Sequence, residues 1–228
     1  MAIGAYSAAL LYVNLGISPF LGLFVGVAIS LILAFIIGNA AFRLRGVFFS
    51  LLTISFVEIV RVVLLYWKSL TRGAEGVVIT YREHSWASLT FRTNTNFYYI
   101  MLVILVISIF ISWRVERSKM GYYLKAIRAD QDAAESLGIE AYKIKLNALL
   151  ISAVMTSVIG SFYAFFLAYI DPTTVSALAI STKIGSMAIV GGLGALFGPL
   201  IGAIVLVPLS ELTNAWLGHT GSGCCFTD

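Results

Sequence analysis

Charge is scarce in this chain. Only 11% of its 228 residues are Asp, Glu, Lys or Arg, against roughly 25% in an ordinary soluble domain. With 60% hydrophobic residues, a soluble domain of this size would lack the polar groups to cover its apolar surface. That excludes a cytosolic enzyme and a disordered chain, and leaves lipid as the solvent. Cysteine is nearly absent too. The two present, Cys224 and Cys225, are adjacent, and neighbours rarely form a relaxed disulfide, so a disulfide scaffold is excluded. The two histidines, His84 and His219, stand alone, which leaves no triad and no metal cluster. A G-x-x-x-x-G-K-[ST] phosphate loop is missing, so the chain does not bind ATP by that route. The start, MAIGAYSAALLYV, lacks a basic n-region and reads as the end of a membrane helix, not as a signal peptide. The net charge of +4 is a small excess, as cytoplasmic loops of a membrane protein carry, and does not point to nucleic acid.

What is abundant is apolar sequence in runs long enough to span a bilayer, about 20 helical residues each. Ile3 to Val13 is short. Pro19 to Ala41 carries no charge, and Pro19 suits a first helical turn. Val47 to Trp67 contains Glu58 and Arg61; Phe97 to Trp113 and Ile144 to Ile170 follow. Ile184 to Leu217 is interrupted by GGLGALFGP, Gly191 to Pro199, and reads as two helices joined by a tight turn. The fold class is therefore an all-α polytopic transmembrane bundle of six to seven helices, because lipid offers backbone amides no other partner. It forms one membrane domain over residues 1–217, followed by an atypical polar tail over 218–228.

Orientation follows from Lys and Arg between the spans. The connection Arg43-Leu44-Arg45 is basic, and the loop from Arg114 to Lys145 carries seven basic and five acidic residues. Both belong in the cytoplasm, and the two spans between them make that consistent. The segment Lys68 to Asn96 and the connection at Asp171-Pro172 then lie outside. Trp67, Trp113, Tyr66, Tyr98, Tyr99 and Tyr169 sit at span ends as an aromatic belt.

Four groups of residues are candidates for function. Glu58 and Arg61 are three apart, share a helix face and can pair. They are either a pathway pair facing the bundle interior or a packing pair with Arg61 snorkelling to the outer interface, and the nearness of Trp67 favours packing. In the loop, Asp130 can cap a short helix, QDAAESL, that Gly138 ends in a left-handed turn. Ala133 and Ala134 give it a flat face, suited to a partner's cleft or merely to solvent, with solvent the favoured reading for an anonymous loop. Gly194, Gly198 and Gly202 recur every fourth residue and allow close helix packing, while Gly191, Gly192 and Pro199 mark a break of the kind that can line a substrate path. Packing is the favoured reading here as well. Ser69 to Val77, SLTRGAEGV, can turn tightly at Gly73 and Gly76, to dock an external partner or simply to connect. Catalytic and metal residues are not expected.

Together, GAYSAALL, RLRGVFFSLLTISFVEIVRVV, SLTRGAEGV, ERSKMGYYLKAIRADQDAAESLGI and MAIVGGLGALFGPLIGAIVL occur in this order. Over about Ile3 to Leu217 the chain resembles the inner-membrane permeases of branched-chain amino acid ABC transporters, of the M-type subunit. The resemblance implies import of branched-chain amino acids across a bacterial or archaeal inner membrane. It also implies a second permease subunit, two cytoplasmic ATP-binding subunits and an extracytoplasmic substrate-binding protein. No cofactor is expected in this chain, since ATP would be bound by the partners. Asp130, Ala133, Ala134, Glu135 and Gly138 match the loop that docks on the ATPase, which favours coupling over the solvated reading. Glu58 and Arg61 match the pattern F-x-E-I-x-R. Such permeases carry further helices before GAY and one after the segment matching Leu206 to Leu217, where this chain has GHTGSGCCFTD, so a fragment or a disrupted reading frame is expected. A permease for urea or short amides is the nearest alternative. A stand-alone ion-gradient transporter or channel, and a non-transporting remnant, are the others.

Overall fold

The computed structural model describes residues 1–15, 19–42, 44, 47–67, 73, 76–78, 94–167, 169–176, 178–192 and 194–221. Its helices are α1 (Ala2–Leu15), α2 (Pro19–Ala41), α3 (Val47–Tyr66), α4 (Asn94–Glu116), α5 (Lys119–Ala129), α6 (Gln131–Ser136), α7 (Ala141–Leu167), α8 (Pro172–Val175), α9 (Leu178–Val190) and α10 (Gly198–Gly221). Two short strands, β1 (Val77–Val78) and β2 (Tyr169–Ile170), pair antiparallel. The chain is an all-α, multi-pass membrane protein. Among the described residues, α2, α3, α4 and α7 are long and apolar enough to cross a bilayer, and α1, α9 and α10 hold shorter apolar stretches. α2 carries no charge and is apolar around its whole circumference, as lipid or protein on every side requires.

The helices fall into two compact units, Met1–Ala177 and Leu178–Asp228. The first is organised by α1, which packs against α2 and α7 while these two pack on each other. Small residues make the three-way contact possible. Ala5, Ala8 and Ala9 of α1 are fully buried. Gly22 of α2 sits so close to α1 that a Cβ there would lie 2.9 Å from the Ala8 Cα. On the α7 side, the Ser161 hydroxyl donates to the Gly4 carbonyl at 3.0 Å. In lipid no hydrophobic force drives helices together, so this close backbone approach and its polar contacts carry the association. Phe165 closes the core edge-on against Tyr12, with ring centroids 5.6 Å apart. By contrast, the apolar windows of α3 and α4 contain no buried residue.

The two-residue ribbon β1–β2 is absent from the sequence expectation. It pairs Val77 with Ile170 and Val78 with Tyr169, and tucks Val77 and Ile170 into the core. Gly76 enters it at φ +71°, a left-handed conformation that glycine takes without strain. Asp171 leaves it by capping α8, its carboxylate accepting from the Thr174 amide at 2.5 Å, with Pro172 opening that helix.

In the second unit, α9 and α10 form a hairpin. The break lies where the glycines place it: α9 ends at Val190, and α10 begins at Gly198. The first helix starts at Leu178 instead of Ile184. α10 also continues through Pro208.

One segment departs from the sequence reading. Residues 114–145, taken as a loop around one short helix, are mostly helical: α4 runs on to Glu116, and α5 fills Lys119–Ala129 before α6 begins. Its charges hide α5 from a search for apolar runs. The signal was available in Met120, Leu124 and Ile127, which recur at helical spacing.

Candidate functional site

The helical elbow α5–α6 is built around Asp130. That residue ends α5 and starts α6, its carboxylate accepting from the amides of Asp132 at 2.9 Å and Ala133 at 3.1 Å. At the other end, the Ile139 amide returns to the Ala134 carbonyl at 3.2 Å, and Gly138 takes φ +82°, closing the helix with a left-handed residue. A Cβ at Gly138 would meet nothing within 4 Å, so backbone strain alone penalises a substitution. Gly138→Ala is expected to lower stability by about 1 kcal/mol, read as a lower melting temperature of the purified protein. Lys145 on α7 donates to Gln131 at 2.6 Å, and Gln131 donates to Glu135 at 2.8 Å, which ties the short helix to a long span.

The two alanines separate here. Ala133 is exposed, whereas Ala134 is 3% exposed and packs with Ile127 and Ala141. The flat face expected from both is therefore formed without Ala134, which holds the elbow together. Its exposed surface instead includes Leu137, 81% exposed at the C-cap and one turn on from Ala133. Leu137 is not among the sequence candidates, because the exposure of a single leucine at a helix end is set by packing and leaves no periodic mark.

On α3, Arg61 Nη1 donates to Glu58 Oε1 at 3.1 Å, with the two side chains 33% and 53% exposed respectively. The Arg61 Nε is buried and has no partner among the described residues. The opposite side of α3 is different in kind. Phe56, Val60, Val63 and Trp67 line an apolar groove of about 350 Å³ that α1 and α2 complete with Ile3, Leu10, Ile29 and Leu33. At 100° per residue, Glu58 lies about 160° and Arg61 about 140° around the helix from Phe56. α3 therefore shows an apolar face to its own unit and a charged face away from it.

The glycines of the second unit divide into two roles. A Cβ at Gly191 or Gly202 would collide with the backbone carbonyl of Gly198 or Met187, and one at Gly198 would lie 2.5 Å from the Gly192 carbonyl. These three set the hairpin contact. Gly192 (φ +106°) and Gly194 (φ +99°) shape the turn. Pro199 occupies the first turn of α10 and is exposed. Two further charges lie within apolar helices and had no place in the sequence reading: Lys183 in α9 and Glu211 in α10, both exposed.

Several expectations fall outside the described residues: Arg43, Arg45, most of Lys68 to Asn96 including most of SLTRGAEGV, His84, and the tail with Cys224 and Cys225. Among the described residues no group of His, Cys, Asp or Glu could hold a metal ion.

Residues 1–222 match the family described as branched-chain amino acid transport system / permease component. The high-affinity branched-chain amino acid transport system permease protein LivM of Escherichia coli (strain K12) is 31% identical over 238 residues, covering 92% of this chain and 55% of that protein. The corresponding permease protein LivH of the same organism is 28% identical over 159 residues, or 65% of this chain and 50% of LivH. The xylose transport system permease protein XylH of Haemophilus influenzae is 27% identical over 117 residues, 49% of this chain and 30% of XylH. The chain thus spans about half the length of the curated relatives it matches. No solved structure matches it.

Proposed function

Since this chain belongs to the family of branched-chain amino acid transport permeases, we propose that it forms part of the translocation path of an ATP-driven importer of branched-chain amino acids. It does so in a bacterial or archaeal inner membrane. Its partners are a second permease subunit, two cytoplasmic ATP-binding subunits and an extracytoplasmic substrate-binding protein. The chain itself performs no covalent chemistry, and ATP is bound by the partners.

The observation that supports this reading is the elbow. A capped short helix, pinned to α7 through Lys145 and Gln131, presents Ala133 and Leu137 outward between two long spans. Such a piece moves as one body with α7. Closure of an ATPase pair pressing on it would therefore tilt the span instead of bending a loop. With the 114–145 segment in the cytoplasm, as its Lys and Arg content favours, this is where the stroke arrives.

The test is reconstitution of the chain with its partner subunits in proteoliposomes. Leucine uptake is expected with ATP and the binding protein present, and none without the ATP-binding subunits. Uptake that persists without them and collapses with an ionophore would replace the importer with a gradient-driven transporter. Ala133→Arg and Leu137→Asp alter exposed positions and should change stability by no more than about 0.5 kcal/mol. Each is expected to lower ATP-driven uptake by about tenfold, because a bulky or charged group then meets the apolar docking cleft. Unchanged uptake in both variants would remove the elbow from the coupling path.

A further inference from the structure

A half-exposed ion pair lies well inside a membrane span. Counting 1.5 Å per residue, Arg61 is about 8 Å and Glu58 about 12 Å from the Tyr66 end of α3, and Glu58 is about 16 Å from the Val47 end. Charges at such depth are strongly unfavourable against hydrocarbon, so they face protein or a water-filled path. Within its own unit α3 packs on α2 and α8, yet Glu58 and Arg61 keep 53% and 33% of their side-chain surface open. The pair is also incompletely bonded. One guanidinium nitrogen, Nη1, meets one carboxylate oxygen, while the buried Nε has no partner among the described residues. A guanidinium presents five donors in a fork that suits a carboxylate bidentately.

From this geometry we propose that Glu58 and Arg61 bind the charged head of an amino-acid zwitterion on the charged face of α3: the α-carboxylate on the Arg61 guanidinium and the α-ammonium on the Glu58 carboxylate. The inference rests on the importer reading for amino acids and adds the site that reads the group all amino acids share. The exchange conserves charge. One internal pair opens, two pairs to the ligand form, and both ligand charges are matched without leaving either residue unpaired in a low-dielectric setting. When the ligand leaves, the internal pair closes again and keeps the path neutral between turnovers. Because the two residues are one helical turn apart, they need no rearrangement of α3 to address two groups on one ligand. The reader is indifferent to the side chain, so it accepts any amino acid that is delivered to it.

The test uses the assembled transporter in proteoliposomes, with wild-type chain and with Glu58→Gln/Arg61→Gln. The double variant removes both charges and keeps two neutral polar side chains on that face. It is expected to assemble and to dock the binding protein normally, while leucine uptake falls by about tenfold or more. Uptake within about twofold of wild type would overturn the proposal and identify a packing pair. Wild-type transporter that takes up no branched-chain amino acid would instead sink the importer reading, and the inference with it. If the variant does not assemble, the wild-type protein decides. Carbodiimide modification of Glu58, followed by peptide mass spectrometry, is expected to slow by about threefold with saturating leucine. It should be unaffected by 4-methylpentanoate, which lacks the ammonium group. A modification rate that leucine leaves unchanged, or a Glu58 closed to the reagent under every condition, would overturn the proposal.

Discussion

Replacing Gly202 with valine is expected to reduce the yield of folded, detergent-stable protein to less than about a tenth of wild type. The reason is geometric. Even the first carbon of a side chain at this position would run into the Met187 carbonyl of the facing helix. Backbone atoms on both sides leave no flexible group that could give way, so α9 and α10 would have to separate by more than an ångström. Packed interiors do not deform so far without losing their contacts. In lipid, separation also forfeits the close van der Waals approach that holds small-residue interfaces together. The same outcome is expected at Gly191, where the clash is with the Gly198 carbonyl. Gly185 provides the control on the same helix. A Cβ there meets nothing within 4 Å, so Gly185→Ala should be neutral or should stabilise by about 0.5–1 kcal/mol through helix propensity. Thermal aggregation in detergent separates the three variants. A Gly202→Val protein as stable as Gly185→Ala would show that the α9–α10 contact is not tight.

The second large effect is expected at Ala134. Ala134→Asp places a carboxylate among Ile127, Ala141 and the backbone of the elbow, where the alanine is 3% exposed. The side chain is too short to reach water, and none of the apolar residues packed there offers it a donor. The expected loss is about 3 kcal/mol or more, enough to open the α5–α6–α7 junction. Limited proteolysis is then expected to cut within residues 114–145 faster than in the wild-type protein. Ala133→Arg, one residue away but exposed, should leave proteolysis unchanged and act only on ATP-driven uptake. If both substitutions left the elbow protected, the burial of Ala134 would not be what holds it.

Membrane spanning was legible because scarcity of charge and the length of apolar runs are properties of sequence alone: Pro19 to Ala41 was bounded to the residue, and the break after Val190 was announced by Gly191, Gly192 and Pro199. The capped helix after Asp130 was legible for the same local reason, since a carboxylate before two free amides and a glycine after the last turn act within a few residues. α5 escaped because its apolar face is short and its charges dilute it.

The sequence by itself determined that this is an all-α membrane protein, where its long apolar helices lie, and which residue types stand at the elbow, at the glycine break and in the middle of α3. Those features are set by hydropathy and by bonds a few residues long. The tertiary structure decided which side of each helix does the work. It buried Ala134 and exposed Ala133 and Leu137. It assigned Gly191, Gly198 and Gly202 to a helix contact and Gly192 and Gly194 to a turn. It also turned Glu58 and Arg61 away from the apolar groove on the other side of α3. A helix sequence names the residues on each face but not the neighbour each face meets, so only packing against elements distant in sequence could choose it.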